Sequence, residues 1–158
     1  MTKKYYLDVS KIDSLVSSAP NPRDRIVIKL FSRTGVTRAE MQRLDIRDID
    51  FEKKQLWIQS SNKLRHVPVD EDTLSDVRFF IGSRKSGHLI SSNRAEDISL
   101  KEINMITKRA GLLAGVANPD PSSKFVSPQL LRYSFIVNAY LAGVPPHYIQ
   151  QKIGRAHV

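Results

Sequence analysis

The chain has 158 residues, enough for one ordinary domain, and its 41% apolar and 26% charged residues are those of a globular protein with a real core. It has no cysteine, which excludes disulfides, thiolate metal sites and cysteine nucleophiles. Lys and Arg number 25 against 16 Asp and Glu, and the resulting charge of +9 favours a polyanionic partner, most commonly a nucleic acid.

No apolar run reaches membrane-span length, and Met1 to Tyr6 lacks the apolar core of a signal peptide. The expectation is a cytoplasmic, nucleoid-associated protein with no membrane partner. Leu7, Ile12, Leu15 and Val16 recur at helical spacing with Ser10 as cap, and Ala19-Pro20-Asn21-Pro22 closes that helix. A second helix over 23–33 buries Ile26, Val27, Leu30 and Phe31, and Thr34-Gly35 breaks it. Thr37 and Glu40 form a capping box for the next helix. Ile49 with Phe51, Leu56-Trp57-Ile58 and His66-Val67-Pro68-Val69 read as three short strands. Between the last two, Gln59 to Arg65 is expected to be a polar hairpin tip carrying Lys63 and Arg65.

A helix over 71–81 follows, then a polar stretch to Asp97 in which Leu89-Ile90 suggests a short edge strand. Ser99 and Glu102 suggest a second capping box, for a helix over 99–115. That helix would turn Ile103, Ile106, Ala110 and Leu113 inward, and Lys101, Lys108 and Arg109 outward. Asn118 to Lys124 is a loop. Ser127 caps a further helix with Pro128 in its first turn, and that helix runs to Ala142 and stops at Gly143. Pro145-Pro146 opens the last helix, with Ile149 and Ile153 inward. The sequence has no internal repeat or linker, so the expectation is a single α+β domain over 1–158, mainly helical, with a small three-stranded antiparallel sheet.

The chemistry is sparse in familiar motifs. The four histidines, at 66, 88, 147 and 157, show no metal-ligand spacing, so no metal is expected. No Gly-rich phosphate loop or nucleophile elbow is present, so neither a cofactor nor a small-molecule substrate is expected. What remains is a set of cations at helix edges and on the hairpin. Arg132 sits among Leu130, Leu131 and Phe135, where a guanidinium needs an anion: an internal carboxylate or a phosphate. Arg38, Lys63, Arg65, Arg132 and Arg155 together have the make-up of a metal-free phosphodiester pocket. Lys108, Arg109 and Gln129 are further candidates to bind DNA phosphates.

Four segments in order resemble the catalytic domain of the tyrosine recombinases, the phage-integrase family. They are Thr34-Gly35 with Glu40-Met41, Leu44 and Asp48-Ile49; Asn62-Lys63-x-Arg65-x-Val67-Pro68; Ser127-Pro128-x-x-Leu131-Arg132-x-Ser134-Phe135; and Ala142-Gly143-Val144 followed by Ile149-Gln150-x-x-Ile153-Gly154. The resemblance spans about residues 7–158. It implies double-stranded DNA as partner, strand cleavage and rejoining through a 3′-phosphotyrosine in the intact protein, and assembly with further protomers on DNA. It assigns the phosphate to Arg132 with Arg38 or Arg155, and the acid facing the 5′-hydroxyl to Lys63.

The departures are specific. Where the family has its first catalytic Arg this chain has Thr37, and where it has its hairpin Lys this chain has Ser60. Gln129 and Tyr133 flank Arg132 where the family places proton-handling residues, and Arg155 stands for a histidine. The family's nucleophilic tyrosine is expected beyond the last segment, and its amino-terminal DNA-clamping domain before the first. The expectation is therefore a recombinase catalytic domain that is inactive by itself. The alternatives are a non-catalytic DNA-binding or regulatory protein, paired with a full-length recombinase that supplies the tyrosine, and a basic scaffold for another protein.

Overall fold

The computed structural model describes residues 5–60, 63–92, 94 and 97–153. Seven helices and three strands follow in the order α1 (Val9–Ser18), α2 (Pro22–Thr34), α3 (Arg38–Arg43), β1 (Ile49–Asp50), β2 (Gln55–Ser60), β3 (Lys63–Pro68), α4 (Glu71–Ile81), α5 (Leu100–Ala114), α6 (Pro128–Leu141) and α7 (Pro146–Ile153). Mainly helical with one three-stranded antiparallel sheet in the order β1-β2-β3, it is the α+β fold the sequence implies.

Helix α2 is the axis of the core. Ile26, Val27, Ile28, Leu30 and Phe31 are all fully buried, and α1, α4, α5 and α6 pack around it. A helix surrounded on every side must satisfy its polar residues internally. Ser32 Oγ donates to the Ile28 carbonyl (2.7 Å) and Thr34 Oγ1 to that of Leu30 (2.6 Å). Buried Asp24 and Lys29 are met by ions from other helices, Arg109 on α5 and Asp72 and Asp76 on α4.

Local rules set most boundaries. Asn21 caps α2 ahead of Pro22, Thr37 and Glu40 form the reciprocal capping box of α3, and Ser127 caps α6 through the Leu130 N–H. Three expectations change. The cap of α1 is Asp8, whose carboxylate accepts from the Lys11 N–H, which places Ser10 inside the helix. Ser99 does cap α5, but Glu102 lies 4.0 Å from Arg23, so a cross-helix ion draws the carboxylate that a box would need. Leu113 is largely exposed, and Gly111 takes the inward place, since a Cβ there would lie 2.8 Å from Val126 Cγ2.

The sheet also corrects the hairpin. Strands β2 and β3 extend into the stretch read as a tip, pairing Ile58 with Arg65, Gln59 with Leu64 and Ser60 with Lys63. Side chains alternate between the two faces of a strand, so Arg65 shares its face with buried Val67, while His66 points outward and meets Trp57 edge-on at 5.2 Å. Leu89 and Ile90 are fully buried but form no strand. The Leu89 N–H instead donates to the Leu44 carbonyl (2.9 Å), beside an isolated bridge between Asp45 and His88.

Two side chains one turn apart on α6 fix the chain ahead of α1. Ser134 Oγ accepts from the Leu7 N–H (2.9 Å), and Asn138 donates to the Leu7 carbonyl (3.0 Å). From the same turns of α6, Ile136 makes a small separate cluster with Ile149, Phe135, Ala139 and Val144, which seats α7. Gly143, at φ 97°, makes the turn between α6 and α7.

Candidate functional site

The starts of α3 and α6 and one face of α5 enclose an open cleft of about 660 Å³. Thr37 and Arg38 enter it from α3, Asn104 and Lys108 from α5, and Gln129 and Arg132 from α6, while Ser123 to Val126 form its rim. The spacing explains the faces: residues three or four apart on a helix are neighbours, so 104 with 108 and 129 with 132 each point one way. Four of the lining side chains are cations, Arg38, Lys108, Lys124 and Arg132, and none is a carboxylate.

Arg132 is partly buried. Its Nε donates to the Gly35 carbonyl at 2.7 Å, which ties the guanidinium to the turn between α2 and α3. Burial pushes its pKa below the usual guanidinium value; Glu40 opposes that shift and Arg65 adds to it. A desolvated cation of this kind gains most from an added anion, because a low local dielectric strengthens the attraction.

Arg38 lines the cleft from the start of α3. Thr37 is the cap itself, so Arg38 is the first helical residue, and its guanidinium donates to Asn104 Oδ1 at 3.1 Å. Thr37, at the family's arginine position, has its hydroxyl and its N–H both engaged with Glu40.

Two candidates meet carboxylates instead of facing the cleft. Arg65, on the inward face of β3, forks onto Glu40 with two bonds of 3.0 Å, and both side chains are nearly buried (10% and 5% exposed). Burial alone would raise the Glu40 pKa, but the bonds from Arg65 and from the Thr37 N–H, with the charges of Arg65 and Arg132, hold it below the ordinary carboxylate value. Arg109 forks onto buried Asp24 at 2.7 and 3.3 Å, on the side of α5 that faces α2. Both were expected to hold DNA phosphates, and both are engaged by internal carboxylates.

Lys63 is exposed at the start of β3 and does not line the cleft, although it stands directly across the ladder from Ser60. Gln129 is exposed and does line it. Arg155 lies outside the described residues. Sequence reading missed Asn104, Lys124 and Phe125. The available signal was position: Lys124 and Phe125 lie three and two residues ahead of the Ser127 cap of the helix that carries Arg132. Among the described residues, no group of side chains could hold a metal ion, and no helix is long and apolar enough to cross a membrane.

Set against known proteins, residues 5–158 match the profile of the phage integrase family. The chain belongs to that family. Among curated relatives, the tyrosine recombinase XerA of Pyrococcus horikoshii is 28% identical over 159 residues, covering 96% of this chain and 53% of that protein. Phage-integrase relatives thus extend well past the matched region, and this chain spans about half their length. The fold agrees with solved structures. XerA recombinase superposes with a TM-score of 0.86 at 23% identity, over 99% of this chain and 58% of the other. XerH site-specific recombinase bound to difH substrate gives 0.80 at 17% identity, over 97% and 47%.

Proposed function

We propose that this chain is the catalytic-fold portion of a tyrosine site-specific recombinase, and that it binds double-stranded DNA with one phosphodiester seated in the cleft against Arg132 and Arg38. Its work would then lie in the cytoplasm, at the nucleoid. The observation that carries this is the cleft itself, four cations with no carboxylate among its lining residues. Elsewhere in the molecule Lys29, Arg33, Arg65 and Arg109 each meet an acid. The family match supports the same reading, as does the solved structure of XerH site-specific recombinase bound to difH substrate.

In this reading Arg132 grips a non-bridging oxygen from a site already short of water, and Arg38 supplies a second grip from the start of α3. Gln129 donates a hydrogen bond but exchanges no proton. Lys63, across the ladder from the position where the family has its lysine, would serve as acid toward a leaving 5′-hydroxyl, although it does not itself line the cleft. Among the described residues no tyrosine lines the cleft, and Tyr140 and Tyr148 are exposed on α6 and α7. With no tyrosine at the cleft, the described residues form no covalent phosphotyrosine by themselves. In the intact protein, cleavage and rejoining would use a tyrosine from outside these residues, its own or that of a further protomer on the DNA.

Thr37 favours a second reading, a non-catalytic DNA-binding or regulatory partner of a full-length recombinase. Its side chain serves as a helix cap where the family has an arginine, so one phosphate clamp is replaced by a structural role. Salt-dependent binding to random-sequence duplex tests the DNA reading. Log K should fall linearly against log salt if the cleft cations neutralise phosphates, and Arg132→Ala should weaken binding and flatten that slope. Absent or salt-insensitive binding would leave only the basic protein scaffold. A suicide substrate separates the two DNA readings when the chain is extended by a relative's tyrosine segment: adduct formation supports the recombinase, and none supports the regulatory partner.

A further inference from the structure

We infer that the Lys124–Phe125 rim is a second, preordered contact on the DNA backbone, with Lys124 on the phosphate next to the one in the cleft and the Phe125 ring against the deoxyribose between them. The inference rests on the cleft being a phosphodiester site. An exposed aromatic by itself signals nothing. Phe125 is different because among the described residues it is the one aromatic lining the cationic cleft, it is 41% exposed, and the loop that carries it is held from both sides.

Behind the ring, Val126 is buried against Gly111, where a Cβ would lie 2.8 Å from Val126 Cγ2 and 3.0 Å from the Val116 carbonyl. The absent side chain at 111 is therefore what lets the rim sit so close to α5. Ahead of the ring, the loop is tied by its own short polar side chains. Asn118 Nδ2 donates to the Phe125 carbonyl (3.1 Å), and the Asn118 N–H donates to that of Lys124 (3.4 Å). The Asp120 N–H donates to Asn118 Oδ1 (3.0 Å), and Asp120 Oδ1 in turn accepts from both the N–H and the hydroxyl of Ser122 (2.9 and 2.8 Å). A loop fixed in this way loses little conformational entropy when it meets a ligand.

One face of the ring carries the Lys108 ammonium, 4.2 Å from its centroid, so the aromatic is oriented by a cation that itself lines the cleft. Cation and apolar surface alternate along the rim, as phosphate and sugar alternate along a DNA strand. A nucleobase face is the less favourable target, because reaching it in an intact duplex means unstacking, at a cost of a few kcal/mol per step.

The test measures binding of the 158-residue chain to a labelled random-sequence duplex across a salt series, with Lys124→Gln, Phe125→Ala, Phe125→Leu and Arg132→Ala. Lys124→Gln is expected to reduce the slope of log K against log salt by about one. Phe125→Ala should weaken binding roughly five- to twentyfold at every salt concentration with the slope unchanged, and Phe125→Leu should stay within about threefold of wild type, since a sugar needs apolar area and no ring. Wild-type binding and slope in Lys124→Gln and Phe125→Ala would overturn the inference. Phe125→Leu binding as weakly as Phe125→Ala would overturn the sugar contact in favour of base stacking. Arg132→Ala separates the two levels: if it weakens binding while the rim variants are silent, only the rim inference fails, and if it too is silent, the reading of the cleft fails.

Discussion

Two charged regions of this molecule differ in how their cations are answered. Between α2 and α4, Lys29 and Arg33 face Asp70, Asp72 and Asp76, with Lys29 and Asp72 2.8 Å apart and Arg33 3.0 and 2.9 Å from Asp70 and Asp72. In the cleft, Arg38, Lys108, Lys124 and Arg132 converge with no lining carboxylate. The first region joins two helices and completes its own charge balance. The second concentrates positive charge in a concave, partly desolvated place, where, if the cleft is a phosphodiester site, it acts on an anion from outside. Cations of the same types would then serve stability in one region and binding in the other, although Arg132 also feels the charge of Glu40.

The Glu40–Arg65 pair stands between the two regions, and breaking it should have the largest effect. Glu40→Ala leaves Arg65 nearly buried without its carboxylate and removes half of the α3 capping box, so a loss of about 3–5 kcal/mol is expected, measured by urea denaturation. DNA binding should fall with it, because the same box sets where Arg38 begins α3.

Gly111→Ala should come next. The added methyl must displace Val126 or the backbone of Val116, at a cost of about 1–3 kcal/mol. Because Val126 seats the cleft rim, duplex binding should weaken even at temperatures where the variant remains folded; unchanged binding would show that the rim and the core are uncoupled.

The acid side tests the paired region alone. Hydrogen bonds from Lys29 and then Arg33 hold the Asp72 carboxyl at about 2, below its ordinary 3.8. The native state thus prefers the ionised form, and its contribution is full above about pH 4 and lost as pH falls toward 2. Glu40, also held low, adds in the same direction. The urea midpoint of the wild type should drop through this window, and Asp72→Asn should flatten part of that drop.

Arg33→Gln should have the smallest effect. Its partners Asp70 and Asp72 are largely solvated, so the loss is on the order of 0.2–1 kcal/mol, with no change in duplex binding beyond the general loss of one charge. Weakening of binding as large as that from Arg132→Ala would erase the distinction between the two regions.

Much of the fold was legible because the signals that bound its elements are local. Thr37 with Glu40 and Ser127-Pro128 act within four residues of chain, and each starts a helix where the sequence places it, whereas Asn21-Pro22, read as closing the first helix, in fact opens the second. The ordered motifs from Thr34 to Gly154 also identified the family, because they spread nearly the length of the matched region. The candidate site was only half legible. Arg132, Arg38, Lys108 and Gln129 do line one cleft, whereas Arg65 and Arg109 turned out to answer carboxylates 25 and 85 residues away in the chain.

Chemistry local to the chain was enough to place most of the helices and the three strands, the family and the surplus of positive charge. Which cations that surplus leaves facing the cleft depends on packing. Strand register turned Arg65 inward onto Glu40, the packing of α5 on α2 turned Arg109 onto Asp24, and the close approach of Val126 to Gly111 brought Lys124 and Phe125 to the rim. The physical reason is that a capping bond is fixed by neighbours along the chain, whereas the energy of a charge depends on distance and burial in space.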